Sequence, residues 1–123
     1  MRIPFFFLAL LLAIFILPAD AQDLRWSRQQ APTEASLRGL FVVDAQTVWA
    51  SGAAGTLLRT TDGGARWELI VPPDSLDFRS LWAFSAQEAL IASAGQPARI
   101  YRTTTGGQQW QLVWEDTTGL GFF

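Results

Sequence analysis

The sequence predicts an all-β chain of propeller blades, each a sheet of four antiparallel strands. Three observations predict it: a repeat with a period of 41 to 43 residues, no segment of helical periodicity in the repeating region, and Gly- and Asp-rich turns between short apolar runs. Placing Trp26 over Trp67 also superimposes Arg25 on Arg66, Pro32 on Pro73, Arg38 on Arg79, Leu40 on Leu81 and Gln46 on Gln87. The offset then grows by two residues around Gly95-Gln96-Pro97. Arg59-Thr60-Thr61-Asp62-Gly63-Gly64 falls on Arg102-Thr103-Thr104-Thr105-Gly106-Gly107, and Trp67 on Trp110. A Gly/Pro turn is where an insertion is tolerated.

Taken in order, the chain of 123 residues begins with Met1-Arg2 and thirteen unbroken apolar residues, Phe5 to Leu17. That run is shorter than the ~20 residues a membrane-crossing helix needs. Pro18 and Ala19-Asp20-Ala21 follow as a small-x-small cleavage signal, so residues 1–21 read as a removable signal peptide, and the mature chain, 22–123, as exported to the periplasm or the extracellular space. No later stretch is apolar enough to insert in a bilayer, and no stable membrane insertion is expected after cleavage. Residues 23–30 carry the Arg-Trp of a last strand with nothing like the first three strands before it. They are expected to complete a final blade that lies beyond this chain.

The first full unit, about 37–71, places strands at 37–43, 47–52, 56–60 and 66–71, with turns at Asp44-Ala45-Gln46, Ala53-Ala54-Gly55 and Thr61 to Ala65. The second unit, about 78–114, places them at 78–84, 89–94, 98–103 and 109–114, and Pro72-Pro73-Asp74-Ser75 joins the two. The first strand of each unit is apolar on both faces: Leu37, Phe41 and Val43 against Leu40 and Val42, then Phe78, Trp82 and Phe84 against Leu81 and Ala83. A strand of that kind needs a layer on either side, which stacked blades provide and a two-sheet sandwich does not. Two units and one strand fall short of the four or more blades of a closed ring, so the chain reads as the N-terminal part of a larger propeller.

Composition removes much of enzyme chemistry. All nine cations are arginine, and histidine and cysteine are absent. Imidazole acid/base catalysis, Schiff bases, thiolate nucleophiles, disulfides and thiolate or imidazole metal sites are therefore excluded, and no cofactor or metal is expected. A formal charge of −2 argues against nucleic acid as a partner.

The most specific local signal is Thr60-Thr61-Asp62-Gly63-Gly64-Ala65-Arg66-Trp67. It resembles the Asp-box, the Ser/Thr-x-Asp-x-Gly-x-x-Trp hairpin of BNR-repeat, sialidase-like propellers. The aspartate can accept turn amides, the glycines allow positive φ, and the tryptophan lies across the hairpin base. The copy from Thr103 to Trp110 has Thr105 in place of the acid, which should weaken its turn bonds. The wider pattern over about 25–114 adds an arginine in each first strand and Trp49-Ala50-Ser51-Gly52-Ala53-Ala54-Gly55. It is similar to the photosystem II stability/assembly factor-like group. That resemblance implies a non-enzymatic scaffold that binds other proteins, and in the photosynthetic members one that assists assembly of a membrane complex.

The candidate partner-binding residues are Arg38 and Arg79. At equivalent positions of the innermost strands they would repeat around a ring axis as a cationic collar for acidic groups of a protein partner. The plainer reading pairs each with a carboxylate such as Asp44, Asp77 or Glu88, or leaves it solvated. Arg59 and Arg102 precede the hairpins and are expected to brace them. Trp26, Trp67 and Trp110 are expected to pack within the repeat, while Trp49 and Trp82 could serve as carbohydrate platforms only if exposed.

The second function class is an Asp-box glycoside hydrolase of sialidase type, which would need an Arg triad, an Asp acid and a Tyr backed by Glu. Arg2-Ile3-Pro4 matches the sialidase Arg motif but lies in the leader. Tyr101 is the single tyrosine and falls on a third strand beside a hairpin. Asp62 is accounted for by its hairpin. No catalytic residue is assigned.

Overall fold

A computed structural model describes residues 24–119. The leader and the terminal Phe122-Phe123 lie outside the described residues. Eight strands form two separate four-stranded sheets. The first, blade 1, contains β1 (Leu37–Val42), β2 (Val48–Gly52), β3 (Leu57–Thr60) and β4 (Glu68–Leu69). The second, blade 2, contains β5 (Asp77–Ala83), β6 (Ala89–Ala94), β7 (Ala98–Thr103) and β8 (Gln111–Asp116). Each sheet runs in chain order with every neighbouring pair antiparallel. The chain is therefore all-β, with the architecture of propeller blades.

Strand ends fall within about two residues of the positions expected from the repeat. The inserted residues lengthen the β6–β7 hairpin itself: β6 and β7 have six residues each against five and four in β2 and β3, and the turn at Gly95 is no longer than the 3-10 turn Ala53–Gly55 of blade 1. β4 is shorter than expected. Ile70 still donates its amide to the Leu57 carbonyl at 2.9 Å, but Pro72 and Pro73 have no N–H to continue a ladder.

The core lies between the blades. Trp49 and Leu57 of blade 1 and Phe78, Ala89 and Ile91 of blade 2 are each at most 1% exposed. Ile70, Ala83 and Tyr101 close the cluster, and Phe41, Val43, Leu76, Leu81 and Trp110 pack around it. Along β6 the pattern is strict, with Ala89, Ile91 and Ser93 facing blade 1 and Leu90, Ala92 and Ala94 facing away. The first strands, expected to be covered on both faces, are covered on one. Leu40 (67% exposed), Val42 (60%), Trp82 (56%) and Phe84 (54%) remain open, because the described residues contain a single joint between sheets.

Residues 24–30, expected to form a last strand, pair with no strand among the described residues. Trp26, expected to pack, is 97% exposed, with no hairpin of its own sheet among the described residues to lie across. The segment nevertheless sits on blade 1 much as the end of blade 1 sits on blade 2. The Trp67 indole donates to Gln29 Oε1 at 2.9 Å, and the Trp110 indole to the Val71 carbonyl at 3.1 Å. A Cβ on Gly64 would run into the Gln29 amide, and one on Gly107 into Ile70, the residue that corresponds to Gln29.

Candidate functional site

Arg38 and Arg79 mark the two backbone irregularities of the first strands. Pairing of β1 with β2 shifts register between Leu37 and Gly39, and pairing of β5 with β6 shifts between Phe78 and Ser80. Each arginine is thus the extra residue of a bulge, the device by which a strand re-aims one side chain and moves by one position which side chains beyond it face the core. The burial shows the shift: Phe78 and Ala83, five residues apart and so on opposite faces of an uninterrupted strand, are both buried, with the outward Arg79 between them.

Both arginines are exposed, and neither guanidinium forms an ion pair among the described residues. The carboxylates considered as partners are engaged elsewhere. Asp44 Oδ1 accepts the amides of Gln46 (2.8 Å) and Thr47 (2.7 Å), which hold its pKa below the ordinary value. Asp77 accepts the Ala54 amide at 3.0 Å, and Glu88 binds Arg102. Two cations held at matched positions without carboxylate partners can bind anionic groups supplied from outside the described residues.

Around this pair the remaining polar groups serve the framework. Thr60 Oγ1 accepts the Gly64 amide (2.9 Å) and donates to Asp62 Oδ1 (2.9 Å), which also accepts the Arg66 amide (2.9 Å). The Arg66 amide, then the Thr60 hydroxyl, hold the Asp62 carboxyl below the ordinary range. In blade 2, Thr105 Oγ1 accepts the Gln109 amide at 2.9 Å, so the geometry survives with a neutral acceptor. The carboxylate of Asp62 is committed to its hairpin.

Arg59 does more than brace its own hairpin. Its guanidinium lies 5.2 Å from the Trp49 ring centroid, pairs with Glu68, and reaches across the joint to the carbonyls of Ala86 and Gly106. Arg102, its counterpart, turns back onto Glu88 in its own sheet. Trp49 is 1% exposed and donates to the Ser85 carbonyl at 3.0 Å, which removes it as a carbohydrate platform, whereas Trp82 is open and rests on Phe41 with ring centroids 4.5 Å apart.

Tyr101 is 7% exposed, edge-on to Phe78, and its hydroxyl donates to Asp74 Oδ2 at 3.2 Å. Arg99 joins that cluster by pairing with both Asp74 and Glu115. Desolvation pushes the Asp74 carboxyl up, but the Ser75 amide, Arg99 and Tyr101 together outweigh it and leave the pKa lowered. The cluster ties the proline-rich linker to blade 2. Its arginine and tyrosine carry no periodic signal, so sequence reasoning did not find it. The bulges were equally invisible, although the repeat did mark both arginines.

Among the described residues no group of three or more acidic side chains is placed to hold a metal ion, and no helix is long and apolar enough to cross a membrane. Comparison with known proteins decides the family. Residues 18–118 match the family described as Photosynthesis system II assembly factor YCF48. The chain belongs to this family. It is similar to the solved structure "YCF48 bound to D1 peptide", with 31% identity, a TM-score of 0.64, and coverage of 81% of this chain and 33% of that one. It also resembles YCF48 from Cyanidioschyzon merolae, with 24% identity, a TM-score of 0.59, and coverage of 80% and 33%, a likeness of fold. The chain thus spans about a third of the length of these structures. No curated protein matches it.

Proposed function

We propose that this chain is an exported, non-enzymatic propeller module that binds protein and acts as a scaffold in assembly, with Arg38 and Arg79 as its contact for acidic groups. The observation that carries the reading is the pair of matched bulges, each presenting an exposed arginine with no ion pair among the described residues. A family relative solved in complex with a peptide supports protein as the partner class. Export rests on the apolar leader and its cleavage signal. The hydrolase reading has no observation in its favour, because Asp62 and Tyr101 are both committed to the framework.

The test is titration of the mature chain with a fluorescent acidic peptide. Replacing Arg38 and Arg79 together by alanine is expected to weaken binding about tenfold or more and to flatten its salt dependence. Equal affinity and salt slope in the double variant would remove the collar. Export is checked by the intact mass of the secreted product, expected to begin at Gln22; a retained leader sinks that part of the reading.

A further inference from the structure

Arg38 and Arg79 are equivalents in the repeat, and their strands are also neighbours across the joint between the blades. β1 packs on β5, and Gly39, the residue after the first bulge, lies on the face of β1 turned toward blade 2. A Cβ at Gly39 would stand 3.3 Å from the Arg79 carbonyl oxygen and 3.4 Å from Leu81 Cδ2. The bare backbone of β1 is what lets the two bulges lie against each other. The space over Gly39 is filled from the partner strand instead. Gly39 pairs with Ser51, whose fully buried hydroxyl would lie 2.5 Å from the same Cβ and finds no hydrogen-bond partner among the described residues. Blade 2 has the reverse arrangement, with Ser80 on the first strand and Ala92 opposite it. An unpaired buried hydroxyl is costly, and in blade 1 it accompanies a first strand without a side chain where the bulges meet.

We propose that Arg38 and Arg79 act as one site, a clamp in which both guanidiniums bind a single carboxylate of the protein partner, and that Gly39 is the positioning residue that sets its spacing. This clamp presupposes the collar of the proposed function and narrows it from separate contacts to one shared ligand.

The chemistry follows from the donor and acceptor inventory. A guanidinium presents its N–H donors as a planar fork, and a carboxylate has two oxygens with about four lone-pair positions between them, so two forks from adjoining backbones can share one carboxylate. Two like charges anchored side by side repel, and an anion held between them turns that repulsion into attraction. Asp44, Asp77 and Glu88 are engaged elsewhere, so the anion comes from outside the described residues. Every residue of this joint that the clamp uses belongs to β1, β2 or β5.

Fluorescence titration of the mature chain tests this with two short peptides, one carrying a single internal aspartate and an amidated end, the other only its C-terminal carboxylate. At least one should bind, and which one does so identifies the source of the carboxylate. Binding that requires several acidic residues in one peptide overturns the clamp. A double-mutant cycle separates the clamp from the collar. In a clamp each single alanine variant already loses about the tenfold that the double variant loses, whereas separate contacts lose about threefold each and multiply. Arg38→Lys and Arg79→Lys should lose nearly as much as alanine, because an ammonium keeps the charge without the fork; lysine variants that bind like the wild type overturn the clamp. Gly39→Ser combined with Ser51→Ala transplants the blade 2 arrangement and leaves both arginines in place. It is expected to lower affinity at least about threefold relative to Ser51→Ala alone, with an unchanged circular dichroism spectrum. Should that variant unfold, Gly39→Ala in the Ser51→Ala background gives the same readout. Unchanged affinity removes Gly39 as the spacer. A double arginine variant that binds like the wild type sinks the collar itself, while losses that multiply sink only the clamp.

Discussion

Asp62 and Thr105 do the same geometrical work with different chemistry. Each takes the amide four residues on at 2.9 Å, but one acceptor is ionised and the other neutral. Charge-assisted bonds are roughly twice as strong as neutral ones. Thr105→Asp is therefore expected to raise the melting temperature by about 4 °C, read by calorimetry; no rise would mean that the neutral hairpin is already optimal. Ser51 offers the converse case. It is fully buried, and its hydroxyl finds no hydrogen-bond partner among the described residues. A buried hydroxyl left unpaired costs about 1–3 kcal/mol, so Ser51→Ala should leave stability unchanged or raise it by about 1 kcal/mol in urea unfolding. A loss of that size would reveal a partner. The hairpin residues were legible in the sequence because the motif is local and its bonds span four residues. Ser51 was not, since its isolation depends on β1 and the facing sheet, which spacing alone does not report.

At the level of elements, the joint between sheets rests on a few residues that cross it. Arg59 places its guanidinium against two carbonyls of blade 2 with only 13% of its side chain exposed, whereas Arg102 is 48% exposed and bonded within its own sheet. Removing Arg59 strands those carbonyls and is expected to cost about 2–3 kcal/mol. Removing Arg102 from the isolated chain should cost less than about 1 kcal/mol. Equal losses in paired urea titrations would show that the crossing bonds contribute little.

Two turn glycines make a similar contrast. Gly107 has a φ of +87° and a Cβ there would strike Ile70 at the joint, while Gly95 has a φ of +94° with open space around it. Gly95→Ala then bears the left-handed backbone alone, about 1 kcal/mol, and Gly107→Ala adds overpacking of about 1–3 kcal/mol. Strand positions were readable because the apolar runs are short and their turns are rich in Gly and Asp. The bulges at Arg38 and Arg79 were not, since a bulge shows only in the partner strand's register.

For the molecule as a whole, the ionisable groups set a window of stability. Asp44, Asp62 and Asp74 each have a pKa below the ordinary 3.8, the first two mainly through amides that their carboxylates accept and the third through Ser75, Arg99 and Tyr101 against desolvation. A lowered carboxyl pKa contributes stability that is present above the unfolded value and lost as the pH falls through the folded one. Tyr101 titrates in the opposite sense at the other end. Burial raises it above 10.0, so the folded chain favours the neutral phenol, and that contribution is lost as the pH climbs past this value. With histidine absent, no side chain of ordinary pKa changes charge between about pH 5 and 8. The melting temperature is therefore expected to be flat across that range, to fall below about pH 4 and to fall again above about pH 10. Because Asp74 and Tyr101 share a hydrogen bond beside the linker, Asp74→Asn should blunt the acid limb, and Tyr101→Phe the alkaline one. A melting temperature that slopes through neutral pH, or an acid limb untouched by Asp74→Asn, would assign the pH dependence to other groups.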